Sequence, residues 1–309
     1  MDDHVSLNDA ERSRQLTVWP GEPVDLRDGH TLFVRHAEPS RPGLPPAVLV
    51  HGLGGSALNW TGLMAELRGD LDQWAPDLPG FGESPPARRH SVDTYVRILV
   101  EYIERFSGPV HLIANSMGGL IAVWVAAHRR DLVSSLVLVS PAMPALRLPA
   151  AARGMAILAM PKVGERLLAR INNVPPEEQV RRLANVLFAD PGVIDPAGFE
   201  LAVEERTRRM ERGYGDAVLL ESLRSIVRQY VVPPRRSAWG AARQVKCPAL
   251  VLLGGRDTLV GAAALSRWRR SVPHAITVTL PSTGHVAMME RPELVASLIR
   301  EHIVKPVQH

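Results

Sequence analysis

The stretch HLIANSMGGL, His111–Leu120, sets a single serine between strand-forming residues and two glycines. The apolar run before Ser116 predicts a strand, and the residues after it predict a helix. Ser116 then either caps this helix or lies in a strained turn that exposes its hydroxyl for attack. Ala114 and Gly118, two residues before and two after it, are small, as a sharp strand-to-helix turn requires.

Strand and helix patterns alternate on both sides of this turn. Helical periodicity is clearest over 92–106, where apolar residues recur at three- and four-residue spacing. Such alternation predicts an α/β fold with a parallel sheet and helices on both faces. The predicted strands are 24–26, 31–35, 47–50, 73–76, 110–113, 136–140, 248–253 and 275–280.

Residues 141–240 break the alternation, because they show amphipathic helical stripes separated by prolines and no strand pattern. We therefore predict a helical cap at 141–240 inserted into a core made of 21–140 and 241–309. Residues 1–20 form a polar N-terminal extension.

Composition limits the class of protein. The chain has 309 residues and one cysteine, Cys247, so a disulfide framework is excluded and a reducing compartment is expected. The N-terminus is polar and lacks the apolar core of a secretory signal, and no apolar run is long enough to span a membrane. We expect a cytoplasmic protein without integral membrane association.

Basic residues exceed acidic ones by four, and residues 141–240 hold 15 basic and 11 acidic side chains. A surface that pairs its own charges explains this excess, since Glu204 and Glu205 precede Arg208 and Arg209 by four residues. Preference for an anionic substrate is the alternative. Neither interpretation indicates a nucleic-acid partner.

A serine hydroxyl is a poor nucleophile at neutral pH, so it needs a base, and the base needs an orienting group. Asp257 in LVLLGGRDTLV follows one predicted strand, and His285 in LPSTGHVAMMERP follows the next. Open α/β sheets place their sites at these carboxyl ends. We predict a catalytic set of Ser116, Asp257 and His285.

The turn LVHGLGG follows another strand and leaves backbone amides with little steric cover. We expect the amides of Leu53 and Met117 to form an oxyanion hole for a tetrahedral intermediate. His51, beside this turn, is interpreted as a structural residue whose ring holds the loop.

Together the motifs HGLGG, DLPGFGES, ANSMGG, GGRD and GHVAMMERP resemble the α/β-hydrolase superfamily, in its order along the chain. The resemblance implies an eight-stranded, mostly parallel sheet with a helical lid, and the catalytic and oxyanion residues given above. Within this superfamily the chain resembles serine carboxylesterases and lipases. ANSMGG also resembles the meta-cleavage-product hydrolases, which cleave carbon–carbon bonds, although Val286 stands where that group usually has Trp after the histidine.

We expect a carboxylesterase acting on a small-molecule ester, with carbon–carbon bond hydrolysis as the alternative. No cofactor is required and no metal-ligand spacing is present. Asn115, Met143 and Trp239 are candidate substrate-binding residues, with backbone support or core packing as the other interpretation. The sequence leaves homo-oligomerisation open.

Two rival interpretations start from the same residues. Gly52, Gly54 and Ala57 have the spacing of a dinucleotide site, with Asp77 about twenty residues on. At least two strands precede that motif, and the Ser, Asp and His set would be left unexplained. The second rival is a ligand receptor that keeps the fold without turnover.

Overall fold

The computed structural model describes residues 18–145, 149–233, 237–261 and 264–304. Most of the predicted N-terminal extension, 1–20, therefore lies outside the described residues. The eight predicted strands fall within them, whereas 146–148 and 234–236 of the predicted cap and 262–263 and 305–309 of the predicted core lie outside.

The eight predicted strands form one open sheet in the order β1-β2-β4-β3-β5-β6-β7-β8. Strand β2 runs antiparallel to both its neighbours, and the pairs from β4 to β8 are parallel. The prediction of a mostly parallel, eight-stranded α/β sheet is confirmed. The strands are β1 Gly21–Asp25, β2 Thr31–Ala37, β3 Pro46–Val50, β4 Asp72–Pro76, β5 Val110–Asn115, β6 Val133–Val139, β7 Ala249–Gly254 and β8 Ile276–Leu280.

Apolar side chains of the central strands alternate between the two faces of the sheet, as extended backbone requires. Val48 and Val50 pack into one buried cluster, while Leu49 packs into the cluster on the opposite face. Helices cover both faces. They are α1 Thr61–Leu67, α2 Val92–Ile103, α3 Ser116–His128, α9 Ala238–Ala242, α10 Ala264–Ser271, α11 Ala287–Glu290 and α12 Pro292–Ile299.

Between β6 and β7 the described residues contain helices and no strand. We call α4 to α8 the helical insertion; it occupies most of the predicted cap. The short α9, which the predicted boundary at residue 240 divides, packs against α3 of the core instead. The helices of the insertion are α4 Ala150–Leu158, α5 Val163–Asn172, α6 Pro176–Leu187, α7 Pro196–Glu211 and α8 Gly215–Arg228.

Buried polar contacts attach α8 to the core. The hydroxyl of Tyr95 lies 2.7 Å from Ser222 Oγ and 3.0 Å from His90 Nδ1, and the Ser225 hydroxyl accepts a hydrogen bond from the Val92 amide at 2.9 Å. Because buried polar groups need partners, these bonds fix α8, the last helix of the insertion, against α2 of the core.

Candidate active site

The turn between β5 and α3 has the strained geometry that the sequence suggests. Ser116 is the first residue of α3 and has a φ of 51°, a conformation that costs non-glycine residues energy. The cap position belongs to Asn115, whose side chain makes no capping hydrogen bond. The capping interpretation of Ser116 is therefore wrong. Ser116 is half-buried and begins the helix in a strained backbone conformation.

Two glycines allow this turn to pack against the end of β3. A Cβ at Gly118 would collide with the carbonyl oxygens of Val50 and His51. A Cβ at Gly52 would lie 3.0 Å from Ser116 Cβ and 2.9 Å from Asn115 Oδ1. The turn after β3 is thus in close contact with the serine, and larger residues at either glycine would separate them.

The predicted oxyanion donors lie at this contact. The Met117 amide belongs to the first turn of α3, where backbone N–H groups have no partner within the helix. Leu53 follows Gly52 directly, and its amide makes no hydrogen bond within the described residues. Both donors remain available for a developing negative charge, which the N-terminal end of a helix also favours.

The ring of His51 holds the predicted oxyanion turn, residues 51–55 after β3, and the predicted structural role of His51 is confirmed. Its Nδ1 lies 2.8 Å from the Gly52 carbonyl, and its Nε2 accepts a hydrogen bond from the Leu78 amide at 2.9 Å. Burial, with a smaller effect from the charge of Arg209, lowers the pKa of His51 to about 4. A neutral ring with its proton on Nδ1 satisfies both contacts.

Asp257 and His285 follow neighbouring strands and form a buried pair. His285 Nδ1 lies 2.9 Å from Asp257 Oδ2, while Oδ1 accepts hydrogen bonds from the amides of Leu259 and Val260 at 2.8 and 2.9 Å. Burial alone would raise the pKa of Asp257, but His285 and the Val260 amide hold this pKa below its ordinary value. The carboxylate is therefore charged and fixes the orientation of the imidazole.

No hydrogen bond connects the Ser116 hydroxyl to His285 within the described residues. Contacts between a nucleophile and its base are often long in the absence of substrate and shorten during reaction. Ser116 and the His285–Asp257 pair nevertheless lie on one edge of the sheet, since they follow β5, β7 and β8.

The three candidate substrate-binding residues have side chains that are buried, and those of Asn115 and Trp239 also bond to backbone carbonyls. The side-chain NH2 group of Asn115 donates to the carbonyls of Val139 and His285 at 3.0 and 3.1 Å. Met143 is buried in the main core. The Trp239 indole donates to the Pro144 carbonyl at 2.6 Å and is also buried.

Sequence reasoning missed two residues that connect the helical insertion to the site. Arg209 of α7 donates a hydrogen bond to the Gly54 carbonyl in the predicted oxyanion turn. Glu290 of α11 is buried and accepts hydrogen bonds from both the His285 loop and the insertion. The sequence does offer a signal for Glu290, because a carboxylate directly after the apolar residues AMM is unusual. No local pattern distinguishes Arg209 from the other arginines of α7.

A sequence model described as the alpha/beta hydrolase family matches residues 47–298. The chain belongs to this family. The matched range contains every candidate site residue given above.

Curated relatives of this family member differ in their chemistry. The chain is 29% identical to the dihydrolipoyllysine-residue acetyltransferase component of the acetoin cleaving system of Pseudomonas putida, over 84% of the chain but only 65% of that protein. It is 28% identical to lipase LipV of Mycobacterium tuberculosis, over 87% of the chain and 97% of the lipase. It is 25% identical to a 2-hydroxy-6-oxononadienedioate/2-hydroxy-6-oxononatrienedioate hydrolase of Burkholderia vietnamiensis, over 98% and 99%.

Solved structures share the same fold. The crystal structure of Cfl2 from Burkholderia cenocepacia aligns with a TM-score of 0.75 at 22% identity, over 93% of this chain and 97% of that one.

Among the described residues, no helix is long and apolar enough to cross a membrane. No cluster of three or more His, Cys, Asp or Glu side chains in this part of the chain could hold a metal ion.

Proposed function

We propose that this α/β hydrolase is a serine esterase that cleaves carboxylic esters through an acyl-enzyme intermediate. The observation that carries the proposal is the strained Ser116 in contact with the oxyanion turn, on the same sheet edge as the hydrogen-bonded His285–Asp257 pair. A nucleophile, a base with its orienting carboxylate, and unpaired amides are the parts that acyl transfer needs.

The reaction proceeds in two steps. Ser116 Oγ attacks the ester carbonyl carbon while His285 takes its proton, and the amides of Leu53 and Met117 stabilise the oxyanion. Collapse of this intermediate breaks the bond to the alcohol, which leaves with the proton from His285. Water, activated by the same imidazole, then attacks the acyl-enzyme and releases the acid. Asp257 keeps the imidazole in the required tautomer and stabilises its charged form.

The decisive experiment is hydrolysis of p-nitrophenyl esters of graded acyl length by the wild type and by Ser116→Ala, with labelling by a fluorophosphonate probe in parallel. We expect turnover and labelling in the wild type, and the loss of both in the variant. The variant Ser107→Ala is a matched control, since it removes a serine at a turn after α2 and should retain both signals. Turnover in folded Ser116→Ala equal to that of the wild type would refute the assignment.

Carbon–carbon bond hydrolysis by the same residues is the second candidate. The Burkholderia vietnamiensis relative, whose name states cleavage of a 2-hydroxy-6-oxo dienedioate, spans nearly the whole chain. Fluorophosphonate labelling without turnover of any p-nitrophenyl ester, together with turnover of a 2-hydroxy-6-oxo dienoate, would favour this candidate. Turnover of esters alone would favour the esterase.

A further inference from the structure

Glu290 is a buried carboxylate that the proposed chemistry does not use. It lies on α11, five residues after His285, and is 7% exposed. Within the described residues it forms no ion pair with a lysine, arginine or histidine. Burial of an uncompensated carboxylate is costly, so its hydrogen bonds have to replace water.

Backbone amides supply these hydrogen bonds, and they come from two separate parts of the chain. Glu290 Oε2 accepts from the Gly284 amide at 2.7 Å and from the Ala189 amide at 3.3 Å, and Oε1 accepts from the Asp190 amide at 3.3 Å. Gly284 directly precedes the candidate base. Ala189 and Asp190 follow α6 of the helical insertion. One carboxylate therefore joins the histidine loop to the insertion.

The backbone of His285 itself is part of this junction. Its amide donates to the Leu187 carbonyl, at the end of α6, at 2.6 Å. A side chain at Gly284 would collide with the Leu187 carbonyl and would lie 2.6 Å from the Ala189 amide nitrogen. The histidine loop thus packs directly against the segment that Glu290 binds, and its position depends on that segment.

The loop of Asp257 makes a third contact with the end of α6. The Thr258 hydroxyl donates to the Val186 carbonyl at 2.9 Å. The amide of His285 and the hydroxyl of Thr258, the residue after Asp257, therefore both bond to residues 186–190. A shift of this segment would move the base relative to Ser116, which lies on a different loop.

We propose that Glu290 is a positioning residue that fixes the His285 loop against residues 187–190 of the insertion. The inference rests on the proposed function, because it requires His285 to act as the base. Glu290 does not touch the reacting atoms. It determines where the imidazole lies when Ser116 attacks, and it makes the end of α6 a fixed part of the active site.

The test is the rate at which Glu290→Gln reacts with a fluorophosphonate probe and with a p-nitrophenyl ester. Glutamine offers one acceptor oxygen and one NH2 group, so either Asp190 loses its acceptor or Gly284 and Ala189 both lose theirs. We expect the second-order labelling rate and kcat to fall by about 10- to 100-fold, because misplacement by about 1 Å costs up to about 100-fold. KM and the final extent of labelling should remain those of the wild type.

The matched control is Glu293→Gln, which changes an exposed carboxylate three residues away and should react at the wild-type rate. A residue with only a stabilising role would instead lower the fraction of molecules that can be labelled, without slowing those that react. If Glu290→Gln does not fold, Glu290→Asp keeps the charge on a shorter arm, and its labelling rate should fall less.

A wild-type labelling rate in either folded variant of Glu290 would overturn the proposal, and so would a reduced extent of labelling at an unchanged rate. Failure of the proposed function is distinguishable from these results. In that case the wild type itself would not hydrolyse the ester, and where it still reacts with the probe, the labelling rate alone tests Glu290.

Discussion

Helices α3 and α4 both contain glycine within a helical turn, yet the two glycines have opposite surroundings. In α3 nearly every residue is buried, and Gly118 lies against the carbonyls of β3 and the residue after it. In α4, at the start of the helical insertion, Gly154 is exposed, and a Cβ there would meet no atom of the described residues within 4 Å. Close backbone approach constrains the first helix and not the second.

This contrast indicates where substitutions should matter. The core loops beside the candidate catalytic residues leave no room for a Cβ at Gly52 or Gly284. The insertion packs more loosely: α7 contains no fully buried residue within the described part of the chain. Effects should therefore decrease from the site toward the exposed faces of the insertion.

The largest effect is expected at the nucleophile and its base. Ser116→Ala and His285→Ala should each lower kcat by at least about 10⁴-fold, and the double variant should lose little more, because the two residues act as one unit. Steady-state kinetics on one p-nitrophenyl ester, with circular dichroism to verify folding, measures this. Losses that multiply in the double variant would show that the two residues act independently.

Asp257→Asn should have the next largest effect, a fall in kcat of about 10⁴-fold, because an amide cannot orient and stabilise the imidazole as the carboxylate does.

The same substitution also tests how the stability of the fold depends on pH. Since the pKa of Asp257 is lowered in the folded protein, its charge stabilises the fold above its ordinary pKa, and that contribution is lost as pH falls through the lowered value. The stability difference between wild type and Asp257→Asn should accordingly shrink below about pH 4, measured by urea unfolding; a constant difference across that range would contradict it.

Gly52→Ala should lower kcat by about 10²- to 10³-fold, the effect of losing one oxyanion donor, since the new methyl would push the turn away from Ser116. Gly108→Ala is the matched control because a Cβ there meets no described atom within 4 Å. Ester kinetics and thermal melting of both variants make the comparison. Equal activity of the two variants would show that the contact between the turn and the serine is not needed.

Much of this arrangement could be predicted from local sequence. Each strand is a short β-rich run bounded by turn residues, so all eight were found within a few residues of their observed ends. Amphipathic stripes and the prolines between them predict two helices of the insertion, α6 and α8. The strain at Ser116 followed from the small residues around it, because only they permit the sharp turn.

The contacts that could not be predicted join residues far apart in the chain. Glu290 binds amides about one hundred residues earlier, and Arg209 reaches the carbonyl of Gly54. Neither contact leaves a periodic signal, because each depends on how the insertion lies against the core. The boundary at residue 240 stays a prediction: α9 has a helical pattern like the insertion, but it packs against α3 of the core.

The smallest effect should come from the glycine of α4, and it compares the two helices directly. Gly154→Ala should stabilise the protein by up to about 1 kcal/mol, because alanine loses less backbone freedom in a helix and meets no obstacle here. Gly118→Ala should instead destabilise it by about 1–3 kcal/mol or more, since the methyl would overlap two carbonyl oxygens. Urea unfolding of both variants measures the signs, and ester turnover should stay unchanged in Gly154→Ala. If both substitutions destabilised equally, α4 would have to be as tightly constrained as α3, and the contrast between core and insertion would fail.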